Sequence, residues 1–313
     1  MRKIIIGVLF FVVIAYFGIG FYVYGESVAV PCSIVESEKD NRPDNFSLGE
    51  KADWDPSKYF VQDYETVLIN TNDGVVLSGW WMETDKNAPT VIGLHGVTSG
   101  KHSPDVLLVG GMLVSEGFNY LTFDFRDHGE STCEDGVHSA GQKEIYDVKA
   151  AIDWLINEKN IPSDKIGLHG SSFGAMVALM AQYASDDISA LSIVDTPFDF
   201  ATLVREELIY QGFPPFLYEP VNHYALLFEG IDITEVSPED GVSKGKNPMI
   251  IFNGIKSDRV ISHHTDDLIN TGNPYSIEML VNRYPELSHT EVMFMYPDEF
   301  LNKIVPFFKE KLN

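Results

Sequence analysis

The chain reads as an α/β protein, a mostly parallel sheet with helices on both faces, preceded by one membrane-spanning helix. Three observations predict this. From Thr90 onward, short apolar runs alternate with stretches of helical period, the pattern of strand–helix crossover units. One such run, Ile166 to His169, passes directly into Gly170-Ser171-Ser172-Phe173-Gly174 and then an Ala/Met/Leu-rich helix. Finally, Ile4 to Tyr24 holds 21 residues without a charge. At about 1.5 Å per residue, that run matches a bilayer core of about 30 Å.

Arg2 and Lys3 precede the apolar run, and Glu26, Glu36 and Glu38 follow it. The positive-inside rule therefore makes residues 1–25 an anchor, with the N-terminus cytoplasmic and the rest extracytoplasmic at the cell membrane. A cleaved signal peptide is the alternative. Its apolar region is normally about 7–15 residues with a small-residue cleavage site, and Val23-Tyr24-Gly25 is a poor match. Residues 26–56 are polar, with Pro31, Pro43 and Pro56 and no sustained period, and read as a linker that stands the domain off the membrane. The domain then occupies residues 57–313.

Glu65 to Asn70 alternates, Thr71-Asn72-Asp73-Gly74 is a turn signal, and Val75 to Met82 is apolar and aromatic, so an antiparallel hairpin opens the domain. Strands follow at Thr90–Leu94, Tyr120–Phe125, Ile166–His169, Ile188–Val194, Pro248–Asn253 and Ser276–Val281. Helices are expected at Asp105–Glu116, Gln142–Asn157, after the Gly/Ser turn, and at Pro297–Leu312. Thr196 to Lys246 breaks this rhythm. It carries Phe198, Phe200, Tyr210, Phe213, Phe216, Tyr218, Tyr224 and Phe228. A connection of that length is usually functional, and it reads as a lid of a few helices with an apolar underside.

Lys+Arg 22 against Asp+Glu 46 gives a formal charge of −24. Nucleic acid and anionic membrane surfaces both require positive charge, so neither is an expected partner. The two cysteines, Cys32 and Cys133, are too few for a disulfide framework and far apart in sequence. Whether they pair is left open, with free thiols the expectation.

The turn carries the chemistry. A strand that reverses directly into a helix crowds the positions two before and two after the turn residue, where a Cβ would clash. Only Ser172 has glycine at both positions; Ser171 would place His169 and Phe173 there. Ser172 is thus the candidate nucleophile, in the strand–turn–helix setting that Gly-x-Ser-x-Gly requires. A serine hydroxyl needs a base within reach and an acid to orient that base. The expected chain order is Ser, then Asp or Glu, then His. Asp258 lies in a loop just past a strand end, and His289 lies in the loop before the closing helix. Asp195, ending the preceding strand, is the alternative acid. Among the other histidines, His95 and His169 end buried strands and read as structural. His263 and His264 read as a solvated helix start whose spacing matches no metal motif. An acyl oxyanion needs two prepositioned N–H donors, and those of Phe173 and Val97 are the candidates, with Thr98 next.

From about residue 60 to its end, the chain resembles the α/β-hydrolase superfamily, and more narrowly its small esterases and serine-aminopeptidase-like members. Four motifs in order carry the resemblance: His95-Gly96 and its loop, Asp124-Phe125-Arg126-Asp127-His128-Gly129-Glu130-Ser131, Gly170-Ser171-Ser172-Phe173-Gly174, and Asp258 followed by His289. The resemblance implies an eight-stranded-type sheet with a lid insertion at about 196–246. It also implies that Asp127-His128-Gly129 is a structural loop without a catalytic role. The expected activity is a carboxylesterase-like serine hydrolase cleaving an ester, thioester or amide through an acyl-enzyme, with no metal and no cofactor. Its substrate would be a small acyl ester or short peptide. A serine peptidase of the aminopeptidase or prolyl-oligopeptidase-like type is the second reading. A non-catalytic binding protein on the same scaffold is the third.

Overall fold

Residues 2–30 and 32–312 are described by a computed structural model. Pro31, one of the three prolines in the expected linker, lies outside them. Arg2–Val28 forms α1, with a mean hydropathy of 2.7 over its most apolar window, long and apolar enough to cross a membrane. Its first half is exposed apolar surface from Ile4 to Ile14, whereas Tyr24 and Val28 are buried against the domain.

Eight strands form one sheet: β1 (Glu65–Asn70), β2 (Val76–Met82), β3 (Thr90–Leu94), β4 (Asn119–Phe123), β5 (Ile166–Ser171), β6 (Ala190–Val194), β7 (Met249–Gly254) and β8 (Met279–Tyr284). Their order is β1-β2-β4-β3-β5-β6-β7-β8. The β1–β2 and β2–β4 pairs are antiparallel and all the others parallel, which is the predicted hairpin followed by crossover units. The helices are α2 (Pro104–Ser115), α3 (Glu144–Glu158), α4 (Phe173–Ala184), α5 (Phe200–Tyr210), α6 (Tyr218–Tyr224), α7 (Pro238–Gly245), α8 (His263–Gly272), the short α9 (Val292–Met295) and α10 (Pro297–Lys311).

Strand periodicity divides the interior in two. Ile92, Leu121, Leu168, Leu191 and Ile251 face α3, α4 and the lid helices. Their neighbours Val91, Tyr120, Ala190, Ile250 and Phe252 face α2, α9 and α10. Side chains alternate across a strand, so a sheet covered on both faces needs apolar residues at every position. That is why the central strands appear in the sequence as unbroken apolar runs. The expected strand at Ser276 begins only at Met279, because Asn273–Tyr275 is a 3-10 turn and Ser276 adopts a left-handed φ of 57°.

Two expectations are corrected. The segment read as a linker does not stand off the domain. Phe46 and Leu48 are buried with Trp80 and Met82, and the Asn41 amide donates to the carbonyl of His102 at 3.1 Å. Pro43, Pro56 and the polar residues around them serve an irregular arm rather than a spacer. The cysteines, expected to be free, form a disulfide: Cys32 and Cys133 lie with Cα atoms 5.5 Å apart. Sequence distance misled here, because backbone hydrogen bonds from Val30 to Gly136 and from His138 to Val28 bring the two stretches side by side.

Candidate active site

Ser172 caps α4 with φ 54° and ψ −120°, a left-handed conformation that strains any residue with a Cβ. The flanking glycines show why the turn can exist. A Cβ on Gly174 would lie 2.2 Å from the carbonyl oxygen of Leu94, and one on Gly170 would lie 2.4 Å from that of Gly174. The Ser172 N–H donates to the carbonyl of Val194 at 2.9 Å, which fixes the turn to the end of β6. Its side chain is half-buried and makes no hydrogen bond among the described residues.

The carboxyl ends of β5 to β8 meet at this edge. Asp195, which follows β6 with φ 45°, directs its carboxylate into the next loops. One oxygen accepts from the N–H of Gly254 at 2.8 Å and from the Asn253 amide at 3.1 Å; the other accepts from the Thr290 N–H at 2.7 Å. The loop bearing His289 is thus held by a buried carboxylate attached to the strand beside Ser172. Burial raises the Asp195 pKa to about 6, against the lowering effect of those N–H donors. Gly254 reinforces the contact, since a Cβ there would lie 2.1 Å from the carbonyl oxygen of Ser288.

Burial pushes His289 down to about 4, and the cations Lys51 and Arg259 act in the same direction; only Asp258 opposes them. Asp258 itself is exposed and makes no hydrogen bond among the described residues. The group on the ring's Nδ1 is instead the Ser257 hydroxyl, at 3.3 Å, which also accepts from the Val260 N–H at 3.0 Å. Serine oxygen has two acceptor lone pairs. With Nδ1–H donating to it, Nε2 keeps the free lone pair that a base needs. Ser172 and His289 therefore lie on strand-end loops at the same edge of the sheet, after β5 and after β8, but among the described residues no hydrogen bond joins them to each other or to Asp258. Sequence reasoning missed Ser257 and the Asp195–Thr290 bond. A serine beside an aspartate carries no pattern of its own, and a side-chain bond to a distant backbone N–H leaves no trace in spacing.

Val97 and Phe173, the candidate oxyanion donors, sit on the loop after β3 and at the first position of α4. The first N–H groups of a helix lack intrahelical partners, and Phe173 holds the first position of α4. Behind Val97, His128 Nε2 lies 2.7 Å from its carbonyl oxygen, while Nδ1 lies 2.8 Å from that of Arg126. His128 is anchored in turn by its neighbours. Arg126 forms a buried ion pair with Asp147 at 2.6 Å. Asp124 accepts from Lys101 Nζ at 2.6 Å and from the Glu130 N–H at 2.9 Å. Burial works against the Asp124 charge, but Lys101, His95 and the Glu130 N–H together outweigh it and hold the carboxyl below its ordinary range.

The remaining histidines sort by partner. His95 is buried, accepts from the Phe125 N–H at 3.0 Å, and is pushed down to about 3 by desolvation. His169 is buried beside the Ser192 hydroxyl. His264 corrects an expectation, because it is buried rather than solvated. Its Nδ1 accepts from the Phe198 N–H at 3.2 Å, so the proton sits on Nε2 and is directed at Glu206, 3.1 Å away. Glu206, His263 and His264 lie close enough to hold a metal ion. The protonated Nε2 of His264 would have to lose that proton first.

Residues 110–313 match the model of the prolyl oligopeptidase family. An uncharacterised Bacillus subtilis protein, YqkD, is 26% identical over 281 residues, covering 87% of each chain. Mouse dipeptidyl peptidase 8 is 24% identical over 271 residues, of which this chain spans 27% of the longer protein. Among solved structures, the Pyrococcus furiosus esterase Pf2001 superposes with a TM-score of 0.66 at 26% identity, covering 84% of this chain and 98% of the esterase. The Pyrococcus horikoshii acylaminoacyl peptidase superposes with a TM-score of 0.60 over 80% of this chain and 41% of its own. With the α/β-hydrolase sheet and a family match over most of its length, the chain belongs to the prolyl oligopeptidase family.

Proposed function

We propose that the protein is a serine hydrolase that cleaves a carboxylic ester through an acyl-enzyme intermediate. In this reading Ser172 attacks the carbonyl, His289 takes the hydroxyl proton and returns it to the leaving group, and Asp258 orients the imidazole. The N–H groups of Val97 and Phe173 receive the oxyanion, and water releases the acid. The observation that carries the reading is the left-handed serine between two obligatory glycines, with Asp195 on the neighbouring strand holding the loop that bears His289. In this reading a loop movement brings Asp258 to Nδ1 in place of Ser257, since catalytic hydrogen bonds are often loose without substrate. The S172A variant is expected to lose turnover of p-nitrophenyl acetate and labelling by a fluorophosphonate while keeping its melting temperature. Retained turnover would remove Ser172 from the role.

The family match favours a second reading, a peptidase acting on short peptides. An aminopeptidase-type site needs an acid free to bind the substrate amine, and the three lid acids on α5 and α6, Glu206, Glu207 and Glu219, are already engaged. Glu206 bonds to both His263 and His264, Glu207 lies 3.4 Å from Arg259, and Glu219 lies 3.1 Å from Arg205. This supports the esterase reading. Rates on p-nitrophenyl acyl esters against amino-acyl anilides separate the two.

The same proposal puts the domain outside the cytoplasm, with residues 1–25 as an uncleaved anchor. The basic N-terminal flank supports that orientation. The disulfide supports it too, since such bonds persist in oxidising compartments.

A further inference from the structure

Beyond α1 itself, the lid's outer surface carries a run of exposed apolar side chains. From Ile209 to Phe228 the chain contains one acid, Glu219, and no lysine or arginine. That one charge is paired with Arg205. Yet Tyr210, Phe213, Phe216, Leu227 and Phe228 are all about half exposed or more, with Phe216 at 68%. Contiguous exposed apolar surface of this kind marks a place where something docks. The occupant is indicated by what lies beside it.

The lid is fastened to α1. Tyr16 Oη lies 2.5 Å from His223 Nδ1, Phe17 packs on Phe228 at 5.6 Å, and Phe21 and Tyr24 pack on Tyr224. At Gly20 the helix comes so near that a Cβ would lie 2.4 Å from the carbonyl oxygen of Pro220. A bilayer core takes about 20 apolar residues of helix, which is nearly the whole of Ile4–Tyr24. Residues 16–24 then lie at the depth of the leaflet on the domain's side, and the lid residues packed beside them share that depth. The candidate nucleophile is close by. His138 Nε2 lies 3.1 Å from the Ser27 carbonyl at the end of α1, and the His138 ring packs 4.8 Å from that of Phe173, the residue after Ser172.

We propose that the exposed face of the lid, Tyr210 to Phe228, inserts into the membrane leaflet beside α1, so that the candidate site takes an acyl ester directly from the bilayer. The insertion follows from the packing alone; the substrate class rests on the serine hydrolase reading above. The formal charge of −24 makes a zwitterionic leaflet the favoured surface.

The test uses the full chain in phosphatidylcholine nanodiscs. A bimane fluorophore is attached at F216C on the lid or at L280C on the edge strand β8, both exposed side chains. Lipids brominated along their acyl chains are expected to quench the lid label at least twofold and leave the edge label unchanged. Equal, unquenched emission at both sites overturns insertion. So does a lid label shielded from bromine by a second copy of the chain in a cross-linked dimer. In a second arm, the double variant F216E/L227E is expected to lose at least tenfold in hydrolysis of a long-chain p-nitrophenyl ester held in the bilayer, and to stay within twofold of wild type on p-nitrophenyl acetate. Equal loss on both esters overturns delivery from the membrane. A wild-type chain that is quenched at the lid but hydrolyses neither ester overturns the hydrolase reading and leaves insertion standing.

Discussion

At the scale of single residues, Gly174 and His289 make the sharpest predictions. In G174A the new methyl would meet the Leu94 carbonyl oxygen at 2.2 Å. The turn must shift, and overpacking of this kind costs about 1–3 kcal/mol. A urea titration should show that loss together with near-complete loss of esterase activity; a stable, active G174A would refute the packing argument. His289, held near 4 by burial, must be neutral to act as a base. The acid limb of kcat/KM on a soluble ester should therefore fall well below the ordinary imidazole value of about 6.5. A limb near 7 would mean that a carboxylate sits on the ring in solution. The two candidate acids separate by substitution. D258N is expected to cost 100-fold or more in kcat, on the order of what an orienting acid contributes. D195N should act mainly through the Thr290 loop and lower stability by about 1–3 kcal/mol. The reverse ranking would give the orienting role to Asp195. Ser172 was legible because steric need writes glycine on both sides of it. Asp195's bonds were not, since a backbone N–H donor has no residue type.

At the scale of elements, the central strands were readable because burial on both faces removes polar residues from them. The hairpin was readable because its turn needs Asn, Asp and Gly. The arm over residues 32–64 was not. It is bound by scattered side chains such as Phe46, Leu48 and Tyr59 and by lone hydrogen bonds, none of which recurs with a period. The disulfide that begins this arm closes a sequence separation of 101 residues. A loop of roughly that length is worth about 4–5 kcal/mol in the chain-entropy account. The C32S/C133S variant should accordingly unfold at markedly lower urea with a somewhat steeper slope, since the uncrosslinked unfolded chain exposes more surface, the variant being compared at pH 7. A change below about 0.5 kcal/mol would show that arm contacts alone restrict the unfolded chain.

At the scale of the whole molecule, buried imidazoles should set the acid limit of stability. His95 and His169 are pushed to about 3, and His138 and His289 to about 4, each mainly by desolvation. Unfolded, each would bind a proton near pH 6.5. Their contribution is complete above that pH and is lost as the pH falls toward 4. Burial acts in the opposite sense on Asp195, raised to about 6, and on Glu38 and Asp147, each raised to about 7. Four histidines against three carboxyls leave about one net proton, or roughly 1.4 kcal/mol per pH unit between pH 6 and 4.5. Denaturant titrations across that range should show the decline, and a flat profile would mean that the imidazoles are not kept neutral. A last consequence comes from the staple at Cys32, set only a few residues past the end of α1. Under the anchored reading it leaves the tether no slack, so the catalytic rim patrols a plane rather than a volume. Its encounters would then count molecules per unit area, and diluting a lipid ester with inert lipid should slow the enzyme even when the bulk amount is constant.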